Sequence, residues 1–148
     1  MRAVVQRVSR AEVSVGGKTI GKIGRGFVVL LGVARDDTEH DAAFIADRII
    51  GLRVFADDQG KMNLAIGAVG GELLVISQFT LLADTESGRR PSFTAAAPPE
   101  QARALYEHFL SLAKKAGVKV EQGEFGAMME VSLVNDGPVT IIFDSRNR

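Results

Sequence analysis

The sequence predicts an α+β domain: a curved, barrel-like, largely antiparallel β-sheet core with two main helices packed on it. Three observations carry this. Strand-like segments open, interrupt and close the chain, in the order strands, helix, strands, helix, strands. Two segments place apolar residues at helical spacing. Several links between strand-like segments are short and turn-like, which favours antiparallel neighbours. The 148 residues fit one domain, residues 1–148, large enough for a substantial core. No repeat, low-complexity segment or linker divides it.

The elements follow in order. "AVVQRVSRAEVSV" (3–15) is rich in Val and partly alternates, as a half-buried strand does. "GGKTIGKIGRG" (16–26) supplies turns. "FVVLLGVA" (27–34) is a continuous apolar run, the pattern of a strand buried on both faces. Ala42, Ile45, Ile49 and Leu52 then form one helical stripe, with Thr38 as N-cap and Gly51 as stop. "ELLVISQFTLL" (72–82) reads as a second core strand, and the loop from Ala83 to Pro99 is long for a compact domain, as functional or disordered loops tend to be.

The second helix starts at Pro98 and Pro99, where proline is tolerated. Ala102, Leu105, Phe109 and Leu112 are its buried stripe. Lys114 and Lys115 suit the negative end of the helix dipole, and Gly117 ends it. Strands return in "VKVEQGEF" (118–125), "MEVSLV" (129–134) and "VTIIF" (139–143). Met129, Val131 and Leu133 alternate with Glu130 and Ser132, so that sheet has one polar face. "VNDGPVT" (134–140) reads as a hairpin turn between the last two strands. It is heavier than a hairpin needs, because Pro138 removes a donor where the next strand should begin.

Composition narrows the chemistry. Apolar residues make up 46% and charged residues 24%, ordinary for a globular protein. No apolar run approaches membrane-spanning length, and the charged opening "MRAVVQRVSR" does not read as a signal peptide. The absence of cysteine excludes disulfides, thiolate catalysis and Cys-based zinc sites. A cytoplasmic location is expected. Net charge is zero, with 18 basic and 18 acidic residues. That argues against broad capture of nucleic acid but leaves room for recognition of one RNA end. With eight Phe, one Tyr and no Trp, a long stacking platform for single strands is not expected.

Few side chains offer chemistry. His40 and His108, the two histidines, have no partner at ligand spacing and no triad-like grouping. Asp36-Asp37 and Asp57-Asp58 lie in turn-like segments; Asp57-Asp58-Gln59-Gly60 resembles a hairpin loop rather than an acid/base pair. No glycine cluster has phosphate-loop spacing. Arg89 and Arg90, close to Pro91 and Phe93, could grip a phosphate or stack on a base, or belong to a solvated loop. Ser77, Gln78 and Thr80 put three polar side chains at the end of an apolar strand, where terminal N–H groups could point at a reacting oxygen. Thr80 lacks a His or amine to activate it as a nucleophile.

"SQFTL" (77–81), "GRRPSF" (88–93) and "FGAMMEVSLVNDGPVT" (125–140), on a chain opening "MRAVVQRV", together resemble the D-aminoacyl-tRNA deacylase family. The likeness runs from Met1 to about Asp144, and the motifs are highly specific in this order and spacing. The resemblance implies a homodimer with its active site at the subunit interface, hydrolysing the ester between a D-amino acid and the 3′-terminal adenosine of tRNA. Glycine mischarged on tRNA(Ala) would be a second substrate. No metal or organic cofactor is implied. The family's Gly-cisPro element falls on Gly137 and Pro138, whose carbonyls would reach into the partner's site and exclude L-amino acids. Gln78, Phe79 and Thr80 would form the catalytic segment, with backbone N–H groups near Phe79 and Thr80 as oxyanion donors. Ser77 would contact substrate, Phe79 would help seat the adenosine, Met129 would line its pocket, and Arg7 would support Gly137-Pro138. The substrate's ribose 2′-OH, rather than a protein base, would activate water. The family's "GxRP" loop often carries one basic and one polar residue. Here Arg89 and Arg90 are adjacent, leaving open which meets tRNA. Two other readings compete: a dimeric module that binds an adenine nucleotide or RNA end without chemistry, and a different hydrolase using Thr80 covalently.

Overall fold

A computed structural model describes residues 1–148. The elements are β1 (Arg2–Val15), β2 (Lys18–Ile23), β3 (Gly26–Gly32), α1 (Glu39–Ile50), β4 (Phe55–Ala56), β5 (Met62–Leu64), β6 (Glu72–Ser77), α2 (Pro99–Lys115), β7 (Lys119–Gln122) and β8 (Glu130–Asp144). Short 3₁₀ turns span Ile66–Val69 and Phe79–Leu82. The fold is α+β, as expected, with a mixed and strongly curled sheet. β1 pairs antiparallel with β2, β3 and β8, whereas β6 runs parallel to both β3 and β7.

The long strand β1 organises the sheet. One edge pairs with β3 through Arg2–Val8 and with β2 through Ala11–Val15; the other pairs with β8 along nearly its full length. Strand alternation then fills two cores. Phe27, Val29 and Leu31 of β3 pack with Leu73 and Val75 of β6 against Ile45 and Ile49 of α1 and Phe109 of α2. On the opposite face, Val8, Val13, Ile23, Val28, Leu74 and Ile76 form a second cluster, into which Met129, Val131 and Leu133 pack. A sheet filling its own concave face in this way is nearly a barrel.

The helices form where the apolar stripes place them. At the start of α1 the Thr38 backbone N–H donates to the Asp41 carboxylate at 2.9 Å. α2 begins at Pro99 and buries Ala102, Leu105, Phe109 and Leu110. No helix is long and apolar enough to cross a membrane.

Three expectations are corrected. The glycine-containing stretch after β1 contains a strand, β2, rather than turns alone. The second core strand stops at Ser77, and the "FTLL" that follows is a 3₁₀ turn. The third correction is the largest: no hairpin forms at Val134–Thr140. β8 continues through it in one direction, still paired with β1. Between the pairs Val8↔Asn135 and Gln6↔Thr140, β1 advances two residues and β8 five. The surplus is extruded as a loop from a continuous strand, an enlarged bulge. The Asn135 carboxamide closes its base by accepting from the Val139 N–H at 3.0 Å and donating to Thr140 Oγ1 at 3.0 Å. In contrast, Asp57–Gly60 does turn between β4 and β5. Hydrogen bonds from the N–H groups of Lys61 and Gln59 hold the Asp57 carboxyl below its ordinary pKa, as befits a turn residue.

Candidate active site

A cleft of about 680 Å³ opens where β6 ends. Ile76, Ser77, Gln78 and Phe79 form one wall, the Phe93–Pro99 segment and the start of α2 a second, and Phe125–Met129 a third. This volume suits a small-molecule ligand or one nucleoside. Its walls are chiefly apolar, and Phe79 is 55% exposed into solvent.

Parallel pairing of β3 with β6 places Ser77 beside Leu31, and the Gln78 N–H donates to the Leu31 carbonyl at 2.8 Å. The chain then tightens into the 3₁₀ turn. Arg2 pins that turn by donating to the Leu81 carbonyl at 2.9 Å. Phe79 and Thr80 open the turn, so their N–H groups have no acceptor within it. No loop carbonyl accepts from them either. The Phe79 donor therefore stands at the cleft wall with that of Thr80 next to it in the chain, an arrangement able to hold a developing oxyanion. The Thr80 hydroxyl is engaged by the Gln78 side-chain amide.

Phe79 meets Phe93 edge to face, with ring centroids 5.1 Å apart. Phe93 is set by a small bridge in which Asp84 and Ser92 exchange backbone hydrogen bonds of 2.8 and 2.9 Å. Across the cleft, Phe125 lies beneath the Arg103 guanidinium, 5.0 Å from the ring centroid, and 6.0 Å from Tyr106. Tyr106 donates to the Val75 carbonyl at 2.8 Å, and burial pushes its hydroxyl pKa up, so it stays protonated and structural.

The structure brings together Ser77, Gln78, Phe79 and Met129 at one cleft, with Thr80 immediately behind. It does not bring Gly137 and Pro138 there. They are exposed on the β8 loop, joined by a cis peptide bond, and lie outside the cleft lining. Arg7 stands with that loop: its Nε donates to the Asp136 carbonyl at 2.9 Å and its Nη1 to the Val54 carbonyl. His40 and His108 lie outside the cleft, and no three His, Cys, Asp or Glu side chains cluster. Arg89 and Arg90 are exposed on the loop closed by the Asp84–Ser92 bridge. Sequence reasoning missed Arg35, Phe125 and Met128 as cleft residues. Phe125 was expected at the end of a strand, yet β7 stops at Gln122. The available signal was apolar Phe125, Met128 and Met129 in a glycine-containing connection; Met128 is 91% exposed.

Fold and cleft together define a class: an α+β protein whose site is built from apolar walls and backbone donors, without a metal cluster or side-chain triad. The family model described as D-Tyr-tRNA(Tyr) deacylase matches residues 4–144. The chain is 58% identical to the D-aminoacyl-tRNA deacylase of Desulfatibacillum aliphaticivorans over 146 residues, covering 99% of this chain and 100% of that protein. It is 60% identical to the D-aminoacyl-tRNA deacylase of Anaeromyxobacter dehalogenans (strain 2CP-C) over 146 residues, covering 99% and 98%. A solved structure of a c-Myc DNA unwinding element binding protein superposes with a TM-score of 0.91 at 43% identity, covering 97% and 98% of the two chains. A probable eukaryotic D-amino acid tRNA deacylase shares the fold, with a TM-score of 0.83 at 18% identity over 96% and 97%. The chain belongs to the D-aminoacyl-tRNA deacylase family, hydrolases that act on the ester bond of aminoacyl-tRNA.

Proposed function

We propose that this protein hydrolyses the ester of D-aminoacyl-tRNA, and of glycine mischarged on tRNA(Ala), in the cytoplasm as a homodimer of single-domain chains. The observation that carries this reading is a separation. Phe79 lines a cleft with the Thr80 donor beside it in the chain, whereas Gly137 and Pro138 are exposed on the β8 loop, outside that cleft. A second copy supplies what each part lacks. β8 offers the docking edge: it spans 15 residues, pairs only with β1 and exposes Val134 and Ile142. A solution mass of two chains at micromolar concentration is expected from light scattering; a one-chain mass overturns the shared site.

In this reading the terminal adenosine lies against Phe79 and Met129, with Ser77 at its side. The ester carbonyl points at the Phe79 and Thr80 N–H groups. Carbonyls of the partner's Gly137–Pro138 loop bracket the α-carbon, and Arg7 positions that loop. A D-side chain or hydrogen passes, while an L-side chain meets backbone. Exclusion by clash needs no tight grip on the side chain, so many D-amino acids are accepted. Water is activated by the substrate's 2′-OH, which fits a cleft without carboxylate or imidazole. The test is hydrolysis of D-Tyr-tRNA beside L-Tyr-tRNA, repeated with Thr80→Ala. The variant is expected to keep its rate within about threefold of wild type, because backbone groups act. Near-total loss in a folded variant would instead support a covalent Thr80.

A further inference from the structure

Arg35 is the one charged residue in the cleft lining. It follows β3, on the segment whose Ala34 bridges Ala96 across the second wall. Its backbone N–H donates to the Ala95 carbonyl at 3.1 Å, and its own carbonyl accepts from the Gln101 amide at 2.8 Å. Its Nε donates to the Thr94 carbonyl. The segment and the root of the guanidinium are thus fixed, while both Nη groups remain without a partner. No carboxylate neutralises it. Neighbouring Asp36 pairs with Arg146 at 2.6 Å, and Asp37 is buried and accepts from the Ala34 N–H at 2.6 Å. Arg35 is exposed, and a positioned, unpaired guanidinium at the open rim of an apolar cleft suits an anion that arrives with the ligand.

We infer that Arg35 binds the phosphodiester on the 5′ side of the substrate's terminal adenosine, so that the cleft distinguishes an RNA end from a free nucleoside ester. The inference rests on the deacylase reading. The aminoacyl end carries an ammonium, which Arg35 repels; adenine and ribose are uncharged. The phosphodiester is the anion nearest the adenosine. Arg35 therefore also sets direction: phosphate at its end of the cleft, ester at the Phe79–Thr80 donors. In a protein of zero net charge, such a single contact confines attraction to the acceptor end.

The test uses full-length wild type, Arg35→Ala and Arg35→Lys. Adenosine and adenosine 5′-monophosphate are titrated by NMR, and KM and kcat are measured on D-Tyr-tRNA. Wild type is expected to bind the monophosphate about tenfold tighter than adenosine, a gap that Arg35→Ala closes to within about twofold. KM should rise about tenfold in Arg35→Ala, with a smaller change in kcat and an intermediate value for Arg35→Lys. The salt dependence of log KM should flatten by about 0.7, the contribution of one single-strand phosphate. Equal binding of the two nucleotides by wild type, a gap that survives Arg35→Ala, or an unmoved KM overturns the inference. Failure of the deacylase reading would look different: no hydrolysis of D-Tyr-tRNA by wild type, with the monophosphate preference intact.

Discussion

Gly137→Ala should lower kcat/KM on D-aminoacyl-tRNA by about a hundredfold while leaving the protein folded. Gly137 sits at φ +142°, a conformation that side-chain-bearing L-residues rarely adopt. An added Cβ would lie 2.8 Å from the Val139 nitrogen, 2.8 Å from its Cγ2 and 3.2 Å from an Arg7 Nη. Two of these contacts are too close to persist, and the backbone one cannot yield without moving the loop. The loop is exposed and outside both cores, so the stability cost should stay near 1–2 kcal/mol, roughly that of one strained residue. In the proposed mechanism its function, by contrast, depends on where the Gly137 and Pro138 carbonyls stand. A displacement of about 1 Å at a positioning element can cost two orders of magnitude in rate. Kinetics on charged tRNA, with a thermal melt of the same sample, separates the two effects. Activity within about threefold of wild type would remove the loop from the mechanism.

Gly26→Ala should produce the largest loss of stability. Gly26 opens β3 and lies beside Glu72, the first residue of β6, in the parallel register. A Cβ there would be 1.8 Å from the Glu72 carbonyl oxygen, 2.6 Å from its nitrogen and 2.7 Å from its carbonyl carbon. All three are backbone atoms of a central strand, so no rotamer relieves the clash; β3 and β6 must separate at that end. The cost should reach about 4 kcal/mol or more, in the range reserved for disrupted cores. For a chain of this size that lowers Tm by about 10 °C or more. A melt within about 2 °C of wild type would mean the two strands are not held as described.

These two glycines show what the sequence made legible and what it hid. The stripes of α1 and α2, the doubly buried run of β3 and the polar cluster ending β6 were readable because each is local: spacing and residue type carry the signal. Arg35, Phe93 and the pair Phe125 and Met129 come from three separate segments, and only the sheet topology brings them to one cleft. The strand β2 was hidden by glycines that normally punctuate. The continuity of β8 was hidden for a related reason. Asn135, Asp136, Gly137 and Pro138 do make a turn-like excursion, as their chemistry dictates. However, β1 is long enough to pair with the strand on both sides of it, and that pairing prevents the chain from reversing. What reads as a hairpin is therefore a loop held out from a continuous strand.

The central claim is that the protein hydrolyses aminoacyl-tRNA by handedness. The most direct measurement is the initial rate of deacylation of D-Tyr-tRNA and L-Tyr-tRNA, each charged on the same tRNA, at one catalytic enzyme concentration. The account predicts rapid loss of the D-ester and an L-ester that decays at least about a hundredfold more slowly, the selectivity a steric clash in a rigid site can supply. Equal decay of the two esters, or no enzyme-dependent decay of either, would contradict it.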